Sequence, residues 1–116
     1  MSPRIIPLIL ILAATATQIA ATTAKADEPV GDLTGLKLVK KYNCQQCHTI
    51  DKALAGPSFS AIAKHYASDP NARDEVSVNI LNGSSGAWGP LPMPPVAVSK
   101  DDLRPLVDWI LSLNIT

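Results

Sequence analysis

The chain has 116 residues, with ten lysine or arginine and ten aspartate or glutamate residues, so its formal net charge is zero. This length predicts one small domain, and the lack of a basic excess argues against a nucleic-acid partner. Only five residues are aromatic, so a domain of this size buries a thin core of its own.

The N-terminus has the organisation of a secretory signal peptide. Arg4 precedes an almost unbroken apolar run over residues 5–14, and a small-x-small cleavage site ends at Ala26. We therefore predict a signal peptide over residues 1–26, cleaved after Ala26, and one mature domain over residues 27–116. The segment removed contains two basic residues and no acidic residue, so the mature domain has a formal charge of −2. The alternative is an uncleaved membrane anchor, but the apolar run is shorter than the ~20 residues that a span requires.

Four short helices are predicted in the mature domain from apolar spacing and capping residues. The first is expected after Asp32 and through about Lys41, the second from Phe59 to Tyr66, and the third from Asp69-Pro70-Asn71 to about Leu81. Asp32 and Ser58 are the expected N-caps of the first two helices, and Gly83 is the expected stop of the third.

The last helix carries an apolar stripe that ends at Leu113, but its start is left open. Ser99 and Asp102 have the spacing of a capping box. Pro105 suits the first turn of a helix only if the cap lies nearer Asp102, and otherwise it kinks the helix.

Residues 83–98 contain three glycines followed by four prolines. This composition predicts a segment without any regular element. A structureless loop of this length in so small a domain is usually functional.

The motif Cys44-Gln45-Gln46-Cys47-His48 contains the only two cysteines of the chain. Its spacing is typical of covalent haem attachment, in which each thiol adds to one vinyl group of the haem and the histidine faces the iron. A thioredoxin-type dithiol, half of a zinc site and a short disulfide are the alternatives. A zinc site would need further ligands at set spacing, and no convincing strand precedes the motif as a thioredoxin site would require.

Met93 is the only methionine besides Met1, and it lies within Pro92-Met93-Pro94-Pro95. A lone methionine between prolines is an unusual core residue, although a gap-filling role is the alternative. A thioether ligand of the haem iron explains the position better. His65 is the rival ligand, and we interpret it as a surface histidine.

These motifs together resemble the short bacterial class I cytochromes c, which are monohaem periplasmic electron carriers. The resemblance rests on Cys44-x-x-Cys47-His48, Gly56-Pro57, Asn82-Gly83-Ser84, the stretch Trp88-Gly89-Pro90-x-Pro92-Met93-Pro94-Pro95, and a terminal helix with Trp109. It implies an all-α fold of about four short helices around one haem c. The haem would be attached covalently to Cys44 and Cys47, with His48 and Met93 as axial ligands of the iron.

The same resemblance implies roles for residues around the haem. The carbonyl of Pro57 would accept a hydrogen bond from the free ring nitrogen of His48. The indole N–H of Trp88 would reach a haem propionate, with plain packing on the haem edge as the alternative. Trp109 would pack where the first and last helices cross.

Three positions depart from the pattern of the family. Val39 stands where near relatives often have an aromatic residue, so this helix crossing is expected to be less filled. Asn79 replaces an arginine or histidine that helps to hold a propionate, and Val96 replaces an asparagine near the methionine sulfur.

The function implied is that of a soluble periplasmic one-electron carrier with a His/Met-ligated haem. Both axial positions would be filled, so the protein is expected to pass electrons without acting as an enzyme. The expected partners are redox proteins, namely a reductase and a terminal oxidase, nitrite reductase or peroxidase. The protein is expected to be a monomer without a membrane anchor.

Two alternative functions stay open at this stage. A haem peroxidase would need an open distal site with acid–base groups, and neither a histidine nor an arginine adjoins Met93. A domain tethered to a membrane complex by an uncleaved N-terminal segment is the other alternative.

Overall fold

The structure is a computed structural model that describes residues 30–114, together with the single residue Pro3. Apart from Pro3, the predicted signal peptide over residues 1–26 lies outside the described residues. Within residues 30–114 none of the helices has the length and hydropathy that a membrane span requires. The elements in chain order are α1 (Val30–Lys41), a turn of 3-10 helix (Cys44–Gln46), α2 (Phe59–His65), α3 (Ala72–Asn82), β1 (Ser84–Gly86), β2 (Gly89–Met93) and α4 (Lys100–Ser112).

The four predicted helices are confirmed, with small differences at their ends. The Oγ of Ser58 accepts a hydrogen bond from the N–H of Ala61 at 3.1 Å, so this residue caps α2 as predicted. Gly83 ends α3 with a φ of 79°, a conformation that favours glycine. The prediction that Asp32 is the N-cap of α1 is wrong, because the helix already begins at Val30 and includes Asp32.

The structure also decides where α4 begins. The Oγ of Ser99 accepts a hydrogen bond from the N–H of Asp102 at 3.3 Å, and α4 runs from Lys100 through Pro105. Proline at this position removes the donor for the carbonyl of Asp101. Asp101 is exposed, so water can reach this carbonyl near the solvent-facing start of the helix.

The prediction that residues 83–98 contain no regular element is wrong, because β1 and β2 form a two-stranded antiparallel hairpin there. Ser84 lies opposite Met93, and Gly86 lies opposite Gly89, with an irregularity between the two pairs. Pro90 and Pro92 are two positions apart, so their missing N–H groups face the same edge of β2. A two-stranded hairpin leaves one edge of each strand unpaired, and proline is tolerated there.

The core lies around α4, which contacts α1, α2 and α3. Leu106 and Val107 of α4 have only 0% and 1% of their surface exposed. Val39 is also buried in this core. The expectation that the helix crossing is less filled with valine than with an aromatic residue stays a prediction.

The crossing of α1 and α4 depends on a close contact between Gly35 and Trp109. A Cβ atom at Gly35 would lie 1.8 Å from the Cγ of Trp109, so only glycine lets the indole approach the helix this closely. Trp109 has 4% of its surface exposed, and its ring meets that of Phe59 edge to face at a centroid distance of 5.4 Å. The expected position of Trp109 at the helix crossing is therefore confirmed.

We predict that Gly35→Ala lowers the free energy of unfolding by about 1–3 kcal/mol, because the added methyl group forces the rigid indole and α1 apart. The higher helix propensity of alanine opposes this loss by about 1 kcal/mol. Denaturant unfolding measures the change. Lys37→Ala, an exposed substitution on the same helix, serves as the control and should stay within about 0.5 kcal/mol of the wild type. A Gly35→Ala variant as stable as the wild type would contradict the prediction.

Candidate haem site

One cavity of about 440 Å³ opens between the cysteine motif, the hairpin and the helices behind them. Its volume lies in the usual range of cofactor sites. Every site residue predicted from the sequence contributes to its lining: Cys44, Cys47, His48, Pro57, Trp88 and Met93. His65, the rival ligand, is exposed and is not among the lining residues.

The cysteine motif is a single tight turn that follows α1. Asn43 has a φ of 56°, a left-handed conformation that asparagine tolerates better than most residues. The backbone N–H groups of Cys47 and His48 then donate to the carbonyl of Cys44 at 3.2 and 3.0 Å. The turn brings both thiols and the imidazole to the same cavity.

The two cysteines are free, so the structure does not form the short disulfide considered above. Cys44 is partly buried and Cys47 is exposed. Burial raises the pKa of the Cys44 thiol above its usual value. Both thiols are therefore available for covalent attachment to a group in the cavity.

The imidazole of His48 is buried and held on two sides. Its Nδ1 lies 2.7 Å from the carbonyl oxygen of Pro57, and its ring stacks on Phe59 with a centroid distance of 5.3 Å and an interplanar angle of 28°. A carbonyl can only accept, so Nδ1 carries the proton in this contact. The lone pair of Nε2 is then free to bind a metal ion.

Gly56 makes room for this imidazole, a role that the sequence analysis missed. A Cβ atom at Gly56 would lie 2.6 Å from the Cε1 of His48. The N–H of Gly56 donates to the carbonyl of Cys47 at 2.8 Å, which holds the loop against the motif. The sequence pairs Gly56 with Pro57, but only the folded chain shows that the imidazole lies against the glycine.

Met93 is the last residue of β2 and is half-buried at the cavity. A Cβ atom at Gly83 would lie 2.6 Å from the carbonyl oxygen of Met93 and 3.1 Å from the Cδ of Pro95. Farther along, the N–H of Val96 donates to the carbonyl of Ile80 at 2.8 Å. The segment from Met93 to Val96 therefore lies against the end of α3.

The lining of the cavity also contains aromatic and polar groups. Trp88 is 42% exposed and meets the ring of His65 edge to face at a centroid distance of 5.0 Å. Asn79 donates from Nδ2 to the Oη of Tyr66 at 3.4 Å. Burial, together with the negative charge of Glu75, raises the pKa of Tyr66 above its usual value.

The donor set of the cavity fits a haem better than a bare metal ion. The described residues include no group of three or more His, Cys, Asp or Glu side chains that could hold a metal ion. They do offer two thiols on one turn, an imidazole with a free Nε2 and a thioether, all at one largely apolar cavity. This combination is suited to covalent attachment of a haem and to ligation of its iron.

Comparisons with known proteins agree with this reading of the cavity. The family model described as cytochrome c matches residues 33–114. Cytochrome c-551 of Pseudomonas aeruginosa is 44% identical over 75 residues, which cover 65% of this chain and 72% of the relative. Cytochrome c-552 of Nitrosomonas europaea is 46% identical over 78 residues, or 66% of this chain and 76% of the relative. The crystal structure of wild-type Nitrosomonas europaea cytochrome c552 matches with a TM-score of 0.66 at 44% identity, covering 68% of this chain and 99% of that chain.

We predict that Gly56→Ala displaces the imidazole of His48, because the new methyl group would lie 2.6 Å from Cε1. The φ of Gly56 is not in the left-handed region, so the clash and not backbone strain is the cause. The expected loss in free energy of unfolding is about 1–3 kcal/mol. NMR of the His48 ring should show that the hydrogen bond to Pro57 is lost. Lys52→Ala, exposed on the same loop, is the control, and an unchanged His48 spectrum in Gly56→Ala would refute the prediction.

Proposed function

This chain belongs to the cytochrome c family, and on that basis we propose that Cys44 and Cys47 attach its haem while His48 and Met93 ligate the iron. The protein is a small class I cytochrome c with one covalently attached haem c, and it acts as a one-electron carrier. The observation that supports the residue assignment is that all four side chains line the same cavity.

The bound haem supplies an iron that exchanges one electron. On one side of it, His48 is the ligand whose direction is set before binding. The hydrogen bond from Nδ1 to Pro57 and the stacking on Phe59 restrict the ring and leave Nε2 as the donor. A hydrogen bond at the second ring nitrogen also makes the imidazole a stronger donor to a metal ion.

Met93 is the second ligand, and the shape of its segment favours ligation. A thioether binds iron weakly, so a segment that is already ordered loses less entropy when the sulfur binds. Each proline at a compatible position reduces that loss by about 0.4–1 kcal/mol, and Pro92 and Pro94 flank the methionine directly. Ligation by both residues would leave no iron position for a substrate, as electron transfer without bond chemistry requires.

The lining of the cavity supports the same function. Among the described residues, no aspartate, glutamate, lysine or arginine contributes to it, and a peroxidase would need acid–base groups near the iron. Apolar surroundings disfavour the extra charge of the oxidised iron, and a thioether ligand favours the reduced iron. Both effects raise the reduction potential.

Three lining residues, Trp88, Tyr66 and Asn79, are proposed to bind the haem propionates. The indole N–H of Trp88 is a donor that suits a carboxylate, and its exposed position at the hairpin turn leaves it accessible. Tyr66 and Asn79 are polar groups of the same cavity lining. Asn79 is neutral where many family members have an arginine or histidine, so propionate binding here would depend on hydrogen bonds.

The protein is proposed to work in the periplasm after cleavage of residues 1–26. The N-terminal pattern supports export, since covalent haem attachment in bacteria takes place outside the cytoplasm. The partners are proposed to be redox proteins, such as a reductase together with a terminal oxidase, nitrite reductase or peroxidase. Weak and brief encounters at a small surface would suit such exchange.

We predict that the oxidised protein shows the near-infrared sulfur-to-iron absorption band and that Met93→Ala abolishes it. The variant should bind cyanide more than about tenfold more tightly, because the wild type has an open iron position for only a small fraction of the time. Val78→Ala, an exposed apolar residue of α3 that does not line the cavity, is the control and should keep both the band and the affinity. A wild-type protein without the band, or equal cyanide affinity in Met93→Ala, would exclude Met93 as the ligand.

We also predict the mass of the protein purified from the periplasm. It should equal the mass of residues 27–116 plus one covalently bound haem, because cleavage and attachment change the mass in opposite directions. Double substitution of Cys44 and Cys47 by alanine should leave the haem extractable by acidified organic solvent. Protein that keeps residues 1–26 and stays with the membrane would support a tethered domain instead.

A further inference from the structure

We propose that Tyr42 is a positioning residue for the Met93 side of the haem site, acting through the N-cap of α4. The proposal rests on the proposed ligation of the iron by Met93. The hydroxyl group of Tyr42 connects the residues just before the cysteine motif with Ser99, which follows Met93 in the chain.

Tyr42 stands just beyond α1 and two residues before Cys44. Its N–H donates to the carbonyl of Leu38 at 3.0 Å, so its backbone continues the helical hydrogen bonding of α1. Its side chain is half-buried, lines the haem cavity and packs against the core. Tyr42 is therefore held in place by α1, independently of the methionine segment.

The hydroxyl of Tyr42 reaches the first turn of α4. It lies 2.6 Å from the Oδ2 of Asp102, and it accepts a hydrogen bond from the N–H of Ser99 at 3.2 Å. The Oγ of Ser99 is farther away, at 3.4 Å. A hydroxyl has one proton to donate, and the shorter distance assigns that proton to the carboxylate.

This arrangement is a capping box with a tyrosine hydroxyl inserted. In an ordinary capping box, the third residue of the helix accepts a hydrogen bond from the N–H of the N-cap residue. Here Asp102 accepts from Tyr42 instead, and Tyr42 accepts from Ser99. The start of α4 therefore depends on a residue that lies 57 positions away in the chain.

The segment between Met93 and Ser99 is short and restrained. It contains two prolines, the N–H of Val96 donates to Ile80 in α3, and the N–H of Val98 donates to the carbonyl of Val96 at 2.9 Å. Val98 is also buried in the core. A displacement of Ser99 would consequently move Met93 as well, because the backbone between these two residues has little conformational freedom.

Lys41 also contacts the carboxylate of Asp102, but unlike Tyr42 it lies outside the haem cavity. Its Nζ lies 2.6 Å from the Oδ2 of Asp102, and 60% of its side chain is exposed. Hydrogen bonds from Lys41 and then from Tyr42 lower the pKa of Asp102, which keeps the carboxylate ionised at neutral pH. An exposed ion pair contributes little to stability, and Lys41 does not line the cavity. It is therefore the natural control.

The test is the affinity of the oxidised holoprotein for cyanide, which must displace the proposed Met93 ligand. Tyr42→Phe keeps the ring against the cavity and removes only the hydroxyl. We expect it to bind cyanide about three- to tenfold more tightly, the effect of losing one or two hydrogen bonds to a charged or backbone group. Lys41→Gln should stay within about twofold of the wild type.

Two further variants separate positioning from stability. Asp102→Ala removes the acceptor of Tyr42 and should raise cyanide affinity as Tyr42→Phe does. Val107→Ala removes two buried methyl groups from α4, at a residue that does not line the cavity. It should lower the free energy of unfolding without changing cyanide affinity.

The cyanide affinities distinguish failure of the positioning role of Tyr42 from failure of the ligand assignment of Met93. Wild-type cyanide affinity in Tyr42→Phe, with only the free energy of unfolding reduced, would overturn the positioning role and leave the Met93 assignment intact. An equal rise in Lys41→Gln would overturn it as well, because charge pairing and not the hydroxyl would then be responsible. Unchanged cyanide affinity in Met93→Ala would overturn the ligand assignment and the proposal that depends on it.

Discussion

The contact between Gly35 and Trp109 sets the distance between α1 and α4, and the packing of the aromatic rings beside the cavity depends on it. It brings α1 against α4 at a distance that no side chain on the glycine would allow. Trp109 then meets Phe59, and Phe59 stacks on His48. One continuous series of packed rings thus runs from the helix crossing to the imidazole at the cavity. Because protein interiors are close-packed, a shift at the crossing cannot be absorbed without moving the rings beside it.

The two sides of the cavity are built by different means. The His48 side depends on close packing, with Gly56, Pro57 and Phe59 in direct contact with the imidazole. The Met93 side depends on backbone shape, through the hairpin and the turn at Gly83. A thioether is the weaker ligand, so preorganisation of its segment matters most on this side. Electron exchange benefits from such construction, because a site that keeps its shape in both oxidation states has little to reorganise.

The short connection from the hairpin to α4 explains how so small a domain can position Met93, the proposed iron ligand. Hydrogen bonds attach this connection to α3 at Ile80 and to the end of α1 at Tyr42. The helices that surround the cavity therefore also hold its least regular segment. A domain with only five aromatic residues can place a ligand in this way because the haem itself fills the space between the elements.

The amino-acid sequence by itself determined the features that depend on near neighbours in the chain. Helix positions follow from apolar spacing and from caps such as Ser58, and the spacing of Cys44, Cys47 and His48 indicates a haem without reference to the fold. The lone Met93 between prolines likewise indicated a ligand, and the structure brings it to the cavity of the cysteine motif.

Only the tertiary structure decided the features that depend on partners distant in the chain. The hairpin escaped prediction because prolines are excluded from a strand only where both edges are paired, and the sequence does not show which edges are free. The start of α4 at Lys100 stayed open because Pro105 also suited a later start, and the hydroxyl of Tyr42, 57 positions from Ser99, completes the cap only in the folded chain. The need for glycine at positions 35 and 56 was hidden for the same reason, since each of these glycines meets a ring that only folding brings close to it.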